Sequence, residues 1–224
     1  MLLASCDDGH IDDPVKANGT ENYTVQIVGK FTKSDTWSGS YSVVAACFDG
    51  ESPYSLTQAP LPSDDGSITL NNVPATAKTI EIAVVNTLRK RIASIKSYEI
   101  ADNSSIDDTV KIDIGTLNVG MYETINQLVF QGNSCSRCHG SESPAANLDL
   151  TAENAYSNLV GVKAAKDKSK TRVIPGDAAN SFLHKVITEG DDNVSYSHPA
   201  LFAGETYSNL LTIIRDWINN GAKD

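Results

Sequence analysis

The chain has 224 residues, of which 40% are hydrophobic and 21% are charged, a composition typical of a globular protein and unlike that of a disordered chain. Its 18 lysine and arginine residues against 28 aspartate and glutamate residues give a net charge of −10, which excludes the basic footprint of a nucleic-acid-binding protein. No run of about twenty apolar residues occurs in the sequence, so it contains no membrane-spanning helix.

The first 22 residues combine an apolar start with a polar, acidic stretch. The residues Leu-Ala-Ser precede Cys6, and this order resembles the end of a lipoprotein signal, in which the cysteine receives the lipid. We therefore predict lipidation of Cys6, with the rest of residues 1–22 as a tether that includes a solvated His10. Only two residues precede the motif, so either the signal begins upstream or the match is accidental.

Residues 23–118 show the period-two alternation of β-strands, in short runs separated by turn residues and with no helical segment between them. The predicted strands span residues 23–31, 41–48, 66–73, 78–86, 91–100 and 111–117. Strands at this spacing predict an antiparallel β-sandwich, Ig-like or transthyretin-like. Cys47 lies in a run whose two alternating sets are both apolar, so we expect a buried residue and not a ligand.

From residue 119 the pattern changes to apolar residues at helical intervals. The predicted helices span residues 121–131, 151–161, 180–190 and 207–224. The last of them carries a single apolar stripe that ends at Gly221. We therefore predict a domain boundary near residue 118, between a sandwich domain at 23–118 and an all-α domain at 119–224.

Cys135, Cys138 and His139 form the motif with the most specific chemistry. A thioredoxin-like pair needs a βαβ context, which the surrounding pattern lacks, and a zinc site would need further ligands such as His184 or His198. Cys-x-x-Cys-His is instead the attachment signature of c-type haem, in which both thiols add to the haem vinyl groups and the histidine binds the iron. We predict one covalent haem c, with His139 as the proximal iron ligand.

The C-terminal residues 121–224 resemble a class I-type cytochrome c domain. The similarity runs through "YETINQLVFQGNSCSRCHG", "ANLDLT", "RVIPGDAANSFLHKVI" and "LLTIIRDWINNGA". The resemblance implies an all-α fold in which the carbonyl of Pro175 accepts the Nδ1–H of His139. The candidates for the apolar shell of the haem are Phe130, Leu148, Leu150, Ile174, Leu183 and Phe202.

The second axial ligand of the iron is less evident from the sequence. Members of the family that the chain resembles commonly use a Met-Pro pair, but this chain has only two methionines, Met1 and Met121, and neither stands in the corresponding stretch. That stretch instead contains His198 followed by proline, which predicts ligation by His139 and His198. The alternatives are His184 and an open sixth position.

These features predict an exported monohaem c-type cytochrome that transfers single electrons at a membrane surface, in the periplasm or at the outer membrane, to an unidentified redox partner protein. The alternative is a ligand- or glycan-binding surface lipoprotein whose haem domain is a sensory or structural appendage. We expect an electron carrier and not an enzyme, because the sequence shows no Ser-His-Asp order, phosphate loop or paired-carboxylate motif. The basic run 161–172 is either a solvated loop or a docking patch for an acidic partner.

Overall fold

The computed structural model describes residues 22–62, 66–100, 109–133, 135–140 and 142–224, so the predicted lipidation site Cys6 and the tether residue His10 lie outside the described residues. The strands in these ranges are β1 (Tyr23–Thr32), β2 (Tyr41–Phe48), β3 (Thr57–Pro60), β4 (Gly66–Val73), β5 (Thr79–Asn86), β6 (Arg91–Glu99) and β7 (Val110–Asn118). The α-helices are α1 (Met121–Ile125), α2 (Cys135–Cys138), α3 (Ala155–Leu159), α4 (Phe182–Thr188) and α5 (Glu205–Asn219). A π-helical turn (Asn126–Gln131) extends α1, and 3-10 turns span Ser34–Thr36, Ala145–Asn147 and His198–Phe202.

The strands form two sheets, one in the order β4-β1-β7 and the other in the order β3-β2-β5-β6. Apolar side chains of both sheets meet in one buried cluster, which includes Val25 and Ile27 of β1 and Ile82 of β5. In the first half of β1 every second residue is buried, as expected for a strand with one face toward a core. Cys47 is fully buried in this cluster, which confirms its expected burial.

The C-terminal part packs directly on the second sheet. The largest buried cluster combines Val84 of β5 and Ala93 of β6 with residues of α1 and α5, among them Trp217. A hydrogen bond joins the same elements, because the Tyr41 hydroxyl of β2 donates to the Asp216 carboxylate of α5 at 2.7 Å. The sheet and the helices that follow it therefore share one core.

The predicted fold class, an antiparallel sandwich followed by an all-α cytochrome c domain, is wrong. The first sheet is mixed, because β7 pairs in parallel with β1. After residue 119, α1 to α4 have only four to seven residues each, and turns make up much of the remaining chain. Only α5, with 15 residues, sustains an apolar stripe over several turns. The chain is thus a β-rich fold of two sheets with a few short helices, and the domain boundary near residue 118 stays a prediction.

The resemblance to a class I-type cytochrome c domain is wrong for the same reason. Its motifs are short and local, and apolar residues at intervals of three and four are accommodated by one helical turn as well as by a long helix. Within the described ranges, no three His, Cys, Asp or Glu side chains come together as a metal-binding group. A separate finding concerns the helices: within the described residues, none is both long enough and apolar enough to cross a membrane.

Candidate functional site

The Cys-x-x-Cys-His motif lies on a single helical turn after the π-helical extension of α1. α2 contains both cysteines, and the His139 N–H donates to the Cys135 carbonyl at 3.0 Å. Residues three and four apart lie on the same face of a helix, so this turn presents the two thiols and the imidazole within a short distance along the chain. π-Helical turns interrupt α-helices frequently at functional sites.

The two thiols of this motif have different surroundings. Cys135 is half-buried and packs against the largest apolar cluster, and its Sγ lies 3.4 Å from the Val129 carbonyl, to which the thiol donates. Burial raises the pKa of the Cys135 thiol to about 11, because the thiolate loses hydration there. Cys138 is exposed. The side chain of Cys135 is therefore the less accessible of the two.

His139 is held at its ring and at its backbone. Its Nδ1 lies 3.0 Å from the Ala145 carbonyl oxygen, and its own carbonyl accepts the Leu150 N–H at 2.7 Å. Because a carbonyl oxygen can only accept, Nδ1 carries the proton, and Nε2 of the neutral ring keeps a free lone pair. The resemblance assigned this bond to Pro175, and that expectation is wrong. Pro175 is exposed, and the next N–H, of Gly176, donates to the Ile218 carbonyl at the end of α5 at 2.7 Å.

His198 begins the 3-10 turn His198–Phe202, and the proline that follows it supports the start of this turn. Its Nδ1 lies 3.1 Å from the Tyr196 carbonyl oxygen, so Nδ1 is again the protonated nitrogen and Nε2 is free. The Tyr196 ring lies edge-on to the His198 ring at a centroid distance of 5.4 Å, and 57% of Tyr196 is exposed. His198 therefore sits half-buried behind an exposed aromatic residue.

The structure brings His139 and His198 together, although 58 residues separate them in the chain. Their ring centroids are 6.2 Å apart and their planes are inclined by 30°. Burial lowers the pKa of His139, the hydrogen bond to Ala145 opposes this effect, and the charges of His198 and Arg172 lower the pKa further. The pair thus favours the neutral imidazole at His139, which is the form that binds metal ions.

Two polar side chains, Asn133 and Asp191, fix the segment that carries His198. The Asn133 side-chain amide, two residues before Cys135, donates to the Leu201 carbonyl in the His198–Phe202 turn at 3.1 Å. Earlier in the same loop, the Asp191 carboxylate forms ion pairs with Lys170 at 2.8 Å and Lys185 at 3.3 Å, and only 4% of its side chain is exposed. These cations lower the pKa of Asp191, together with the Asn193 N–H.

The other predicted site residues differ in burial. Phe130, Leu150 and Phe202 are buried in the largest apolar cluster, and the half-buried Leu148 and Leu183 pack against it. Ile174 is half-buried, and its N–H donates to the Ser181 hydroxyl at 2.8 Å. His184 is half-buried on α4, where burial first and then the Arg215 charge lower its pKa. Which of His198, His184 or an open position completes the site stays a prediction.

The basic run 161–172 divides into two groups. Lys163, Lys166 and Lys168 are exposed, as expected of a solvated loop or a docking patch, whereas Arg172 is buried beside the turn that holds His139.

Sequence reasoning missed the contributions of Arg172, Asn133 and the Ala145 carbonyl. For Arg172 the available signal was its position directly before the apolar residues of "RVIPG".

Comparison of the chain with protein-family models, with curated proteins and with solved structures found no match. The chemistry of the site therefore follows from its geometry. That geometry offers two imidazole rings whose centroids lie 6.2 Å apart, two thiols on the turn that carries one of them, and an apolar cluster beside that turn.

Proposed function

We propose that this protein is an exported one-electron carrier that holds one haem c through Cys135 and Cys138, with the iron bound by His139 and His198. The observation that carries the proposal is the distance between the two imidazole rings. A metal ion bound at about 2 Å by nitrogens on opposite sides puts the ring centres roughly 6 Å apart. The measured distance is 6.2 Å.

The hydrogen bonds of the two histidines support the same proposal. Histidines that bind metal ions almost always donate their other ring N–H to a carboxylate or a backbone carbonyl, which fixes the tautomer and the ring orientation. His139 does so to Ala145 and His198 does so to Tyr196. Both rings are thereby oriented with Nε2 as the nitrogen available to iron.

Haem accounts for the ligand set better than a bare metal ion does. A structural zinc site takes four protein ligands, whereas the described residues contain no group of three His, Cys, Asp or Glu side chains that could hold a metal. Haem would need only two further ligands from the protein, and His139 and His198 would supply them. The proposal concerns haem on this two-sheet fold and does not depend on membership of the cytochrome c family.

The bound haem would supply a Fe(III)/Fe(II) couple that accepts and returns one electron. The chain would contribute the rest: His139 and His198 hold the iron on both faces, and the buried Leu150 and Phe202 limit access of water. Two imidazoles favour the ferric state more than a histidine and a methionine do, so we expect a reduction potential below that of His/Met cytochromes. The exposed Tyr196 provides a contact surface next to His198 for a redox partner.

The proposed location is extracytoplasmic, with the chain anchored to a membrane through a lipid on Cys6. Attachment of haem to Cys-x-x-Cys-His takes place outside the cytoplasm, and a lipoprotein signal would deliver the chain there. Mass spectrometry of Cys6 from membrane fractions tests the anchor independently of the haem.

Expression with the haem-maturation machinery tests the function. We expect covalent haem and a low-spin ferric absorption spectrum in the wild-type protein. His198→Ala should lose the low-spin signature and gain a high-spin one, whereas the matched variant His184→Ala should keep the wild-type spectrum. A wild-type protein without covalent haem would overturn the proposal, and an unchanged spectrum in His198→Ala would refute the assignment of the second ligand.

A further inference from the structure

Arg172 is a buried cation whose hydrogen bonds to the described residues all go to backbone carbonyls. Only 6% of the residue is exposed. Its Nη1 donates to the Asn158 carbonyl at 2.8 Å, and its Nη2 donates to the carbonyls of Ala146 at 3.1 Å and Asn147 at 2.9 Å. The guanidinium therefore clamps the turn Ala145–Asn147 against the end of α3.

The clamped turn is strained. Ala146 and Asn147 both have left-handed backbone conformations, with φ of 55° and 48°. This region is unfavourable for residues with a Cβ atom, and for alanine in particular, which has no side-chain oxygen or amide to bond locally. Such strain persists only where surrounding contacts enforce it, and it concentrates at functional sites. The Arg172 fork supplies that contact, since one nitrogen bonds both strained carbonyls.

The same turn orients His139. The first residue of the turn, Ala145, accepts the Nδ1–H of the imidazole, so the position of this carbonyl sets the direction in which Nε2 points. A release of the turn would move the Ala145 carbonyl and free the ring to rotate. Arg172 thus acts on His139 through the backbone and not by direct contact.

Among the described residues, the acceptors of the Arg172 guanidinium are neutral carbonyls and no carboxylate pairs with it, whereas Lys170 of the same segment is paired with a carboxylate. A buried cation without an anionic partner is costly, so its presence beside His139 calls for a reason beyond packing. A positive charge near a bound iron favours the less positive, ferrous state.

We propose that Arg172 is a positioning residue for His139: its guanidinium holds the strained turn that orients the imidazole, and its positive charge raises the reduction potential of the iron bound there. This inference rests on the proposed function. Lysine at this position keeps the charge but has one nitrogen, so it cannot bond the Asn158 carbonyl and the turn through two separate nitrogens as Arg172 does, and methionine keeps the length but removes the charge.

The test compares Arg172→Lys, Arg172→Met and the control Lys168→Met in haem-loaded protein. Lys168→Met removes one cation from the exposed part of the neighbouring loop. We expect both Arg172 variants to gain a high-spin ferric fraction and to bind cyanide at least tenfold faster than the control. Arg172→Met should in addition have a lower reduction potential than Arg172→Lys. Equal spectra, cyanide rates and potentials in all three variants would overturn the inference.

A second measurement separates this inference from the proposed function. If the wild-type protein binds no covalent haem, the proposed function fails, and the positioning role is read in the haem-free protein by hydrogen exchange. The Leu150 N–H, bonded to the His139 carbonyl at 2.7 Å, should exchange at least tenfold faster in Arg172→Met, because the turn that orients His139 loses its charged hydrogen-bond donors. Exchange as slow as in Lys168→Met would show that Arg172 does not hold the turn.

Discussion

Replacement of Tyr41 by phenylalanine tests whether the sheets and the C-terminal helices form one cooperative unit. The Tyr41 hydroxyl donates to the Asp216 carboxylate at 2.7 Å, across the junction between β2 and α5. Burial comes first among the causes that raise the pKa of Tyr41, followed by this hydrogen bond and the charge of Asp216. The variant removes only the oxygen and leaves the ring, so packing of the aromatic side chain is retained.

The expected loss of stability follows from the environment of this bond. Hydrogen bonds to charged groups contribute about 1.5–3 kcal/mol. The Asp216 side chain is 22% exposed and also pairs with Arg215 at 2.9 Å, so the carboxylate keeps a partner in the variant and the loss lies near the lower limit. With a urea dependence of about 2 kcal/mol per molar, a loss of about 1.5 kcal/mol lowers the unfolding midpoint by roughly 0.7 M.

Urea unfolding of Tyr41→Phe, Asp216→Asn and the double variant measures the coupling between the two residues. We expect a coupling free energy of about 1 kcal/mol and one transition for both halves, followed by tryptophan fluorescence and circular dichroism. Tyr54→Phe is the matched control, since Tyr54 is 47% exposed and its change should stay within about 0.5 kcal/mol. A coupling below about 0.3 kcal/mol, or separate transitions for strands and helices, would refute the shared core.

Three further outcomes follow from single contacts. Asn133→Ala removes one hydrogen bond to the turn that carries the second histidine, and we expect external imidazole to bind the haem-loaded protein about 2- to 12-fold more tightly. In haem-free native protein, peptide mapping should show maleimide on Cys138 first, on Cys135 at least tenfold more slowly, and on Cys47 only after unfolding. Asp191→Asn should lower the urea midpoint at pH 7 and change it less at pH 3, because a lowered carboxyl pKa contributes stability above about 3.9 that is lost as the pH falls. Equal effects at both pH values would contradict the ion-pair account.

Local pattern was sufficient to locate most strands but not to predict how they pair. The six predicted runs correspond to six of the observed strands. β3 was missed because it has only four residues and ends in Pro60, which is a weak strand signal. Alternation carries no information on strand direction, so the parallel partnership of β7 with β1 could not be predicted from it. This pairing depends on how distant segments meet.

The helical half was predicted less well because side chains there compete with helical hydrogen bonds. The predicted helix 151–161 begins only at Ala155, since the N–H and hydroxyl of Thr151 both bond the Asp149 carboxylate, at 2.9 and 2.7 Å. The predicted helix 121–131 changes to π-helical geometry after Ile125. Capping residues and apolar spacing therefore indicated the approximate positions of these helices but overestimated their lengths.

In the candidate site, residues that belong to one local turn could be predicted from the sequence, whereas residues joined by distant contacts could not. Cys135 and His139 belong to one turn, so five consecutive letters were sufficient to identify them. The burial of Arg172 depends instead on the carbonyls of Ala146 and Asn158, which lie 26 and 14 residues away in the chain. A run rich in basic residues gives no sign that one member is buried while its neighbours are exposed.

The pairing of His139 with His198 does not depend on the family resemblance that first suggested it. Each imidazole is fixed by a carbonyl from its own neighbourhood, Ala145 for the first and Tyr196 for the second, so the two turns orient their rings separately. The hydrogen bonds that fix the two rings therefore do not explain why the ring centroids lie 6.2 Å apart. In each ring these bonds use Nδ1 and leave Nε2 without a proton. A shared ligand would give that distance a physical cause, and the proposed haem c would also use both thiols of the adjoining turn, which it would bind covalently through its vinyl groups. Loss of covalent haem in a Cys135→Ala, Cys138→Ala double variant, with His139 and His198 intact, is therefore the result we expect, and retention of tightly bound metal in that variant would point to a different cofactor.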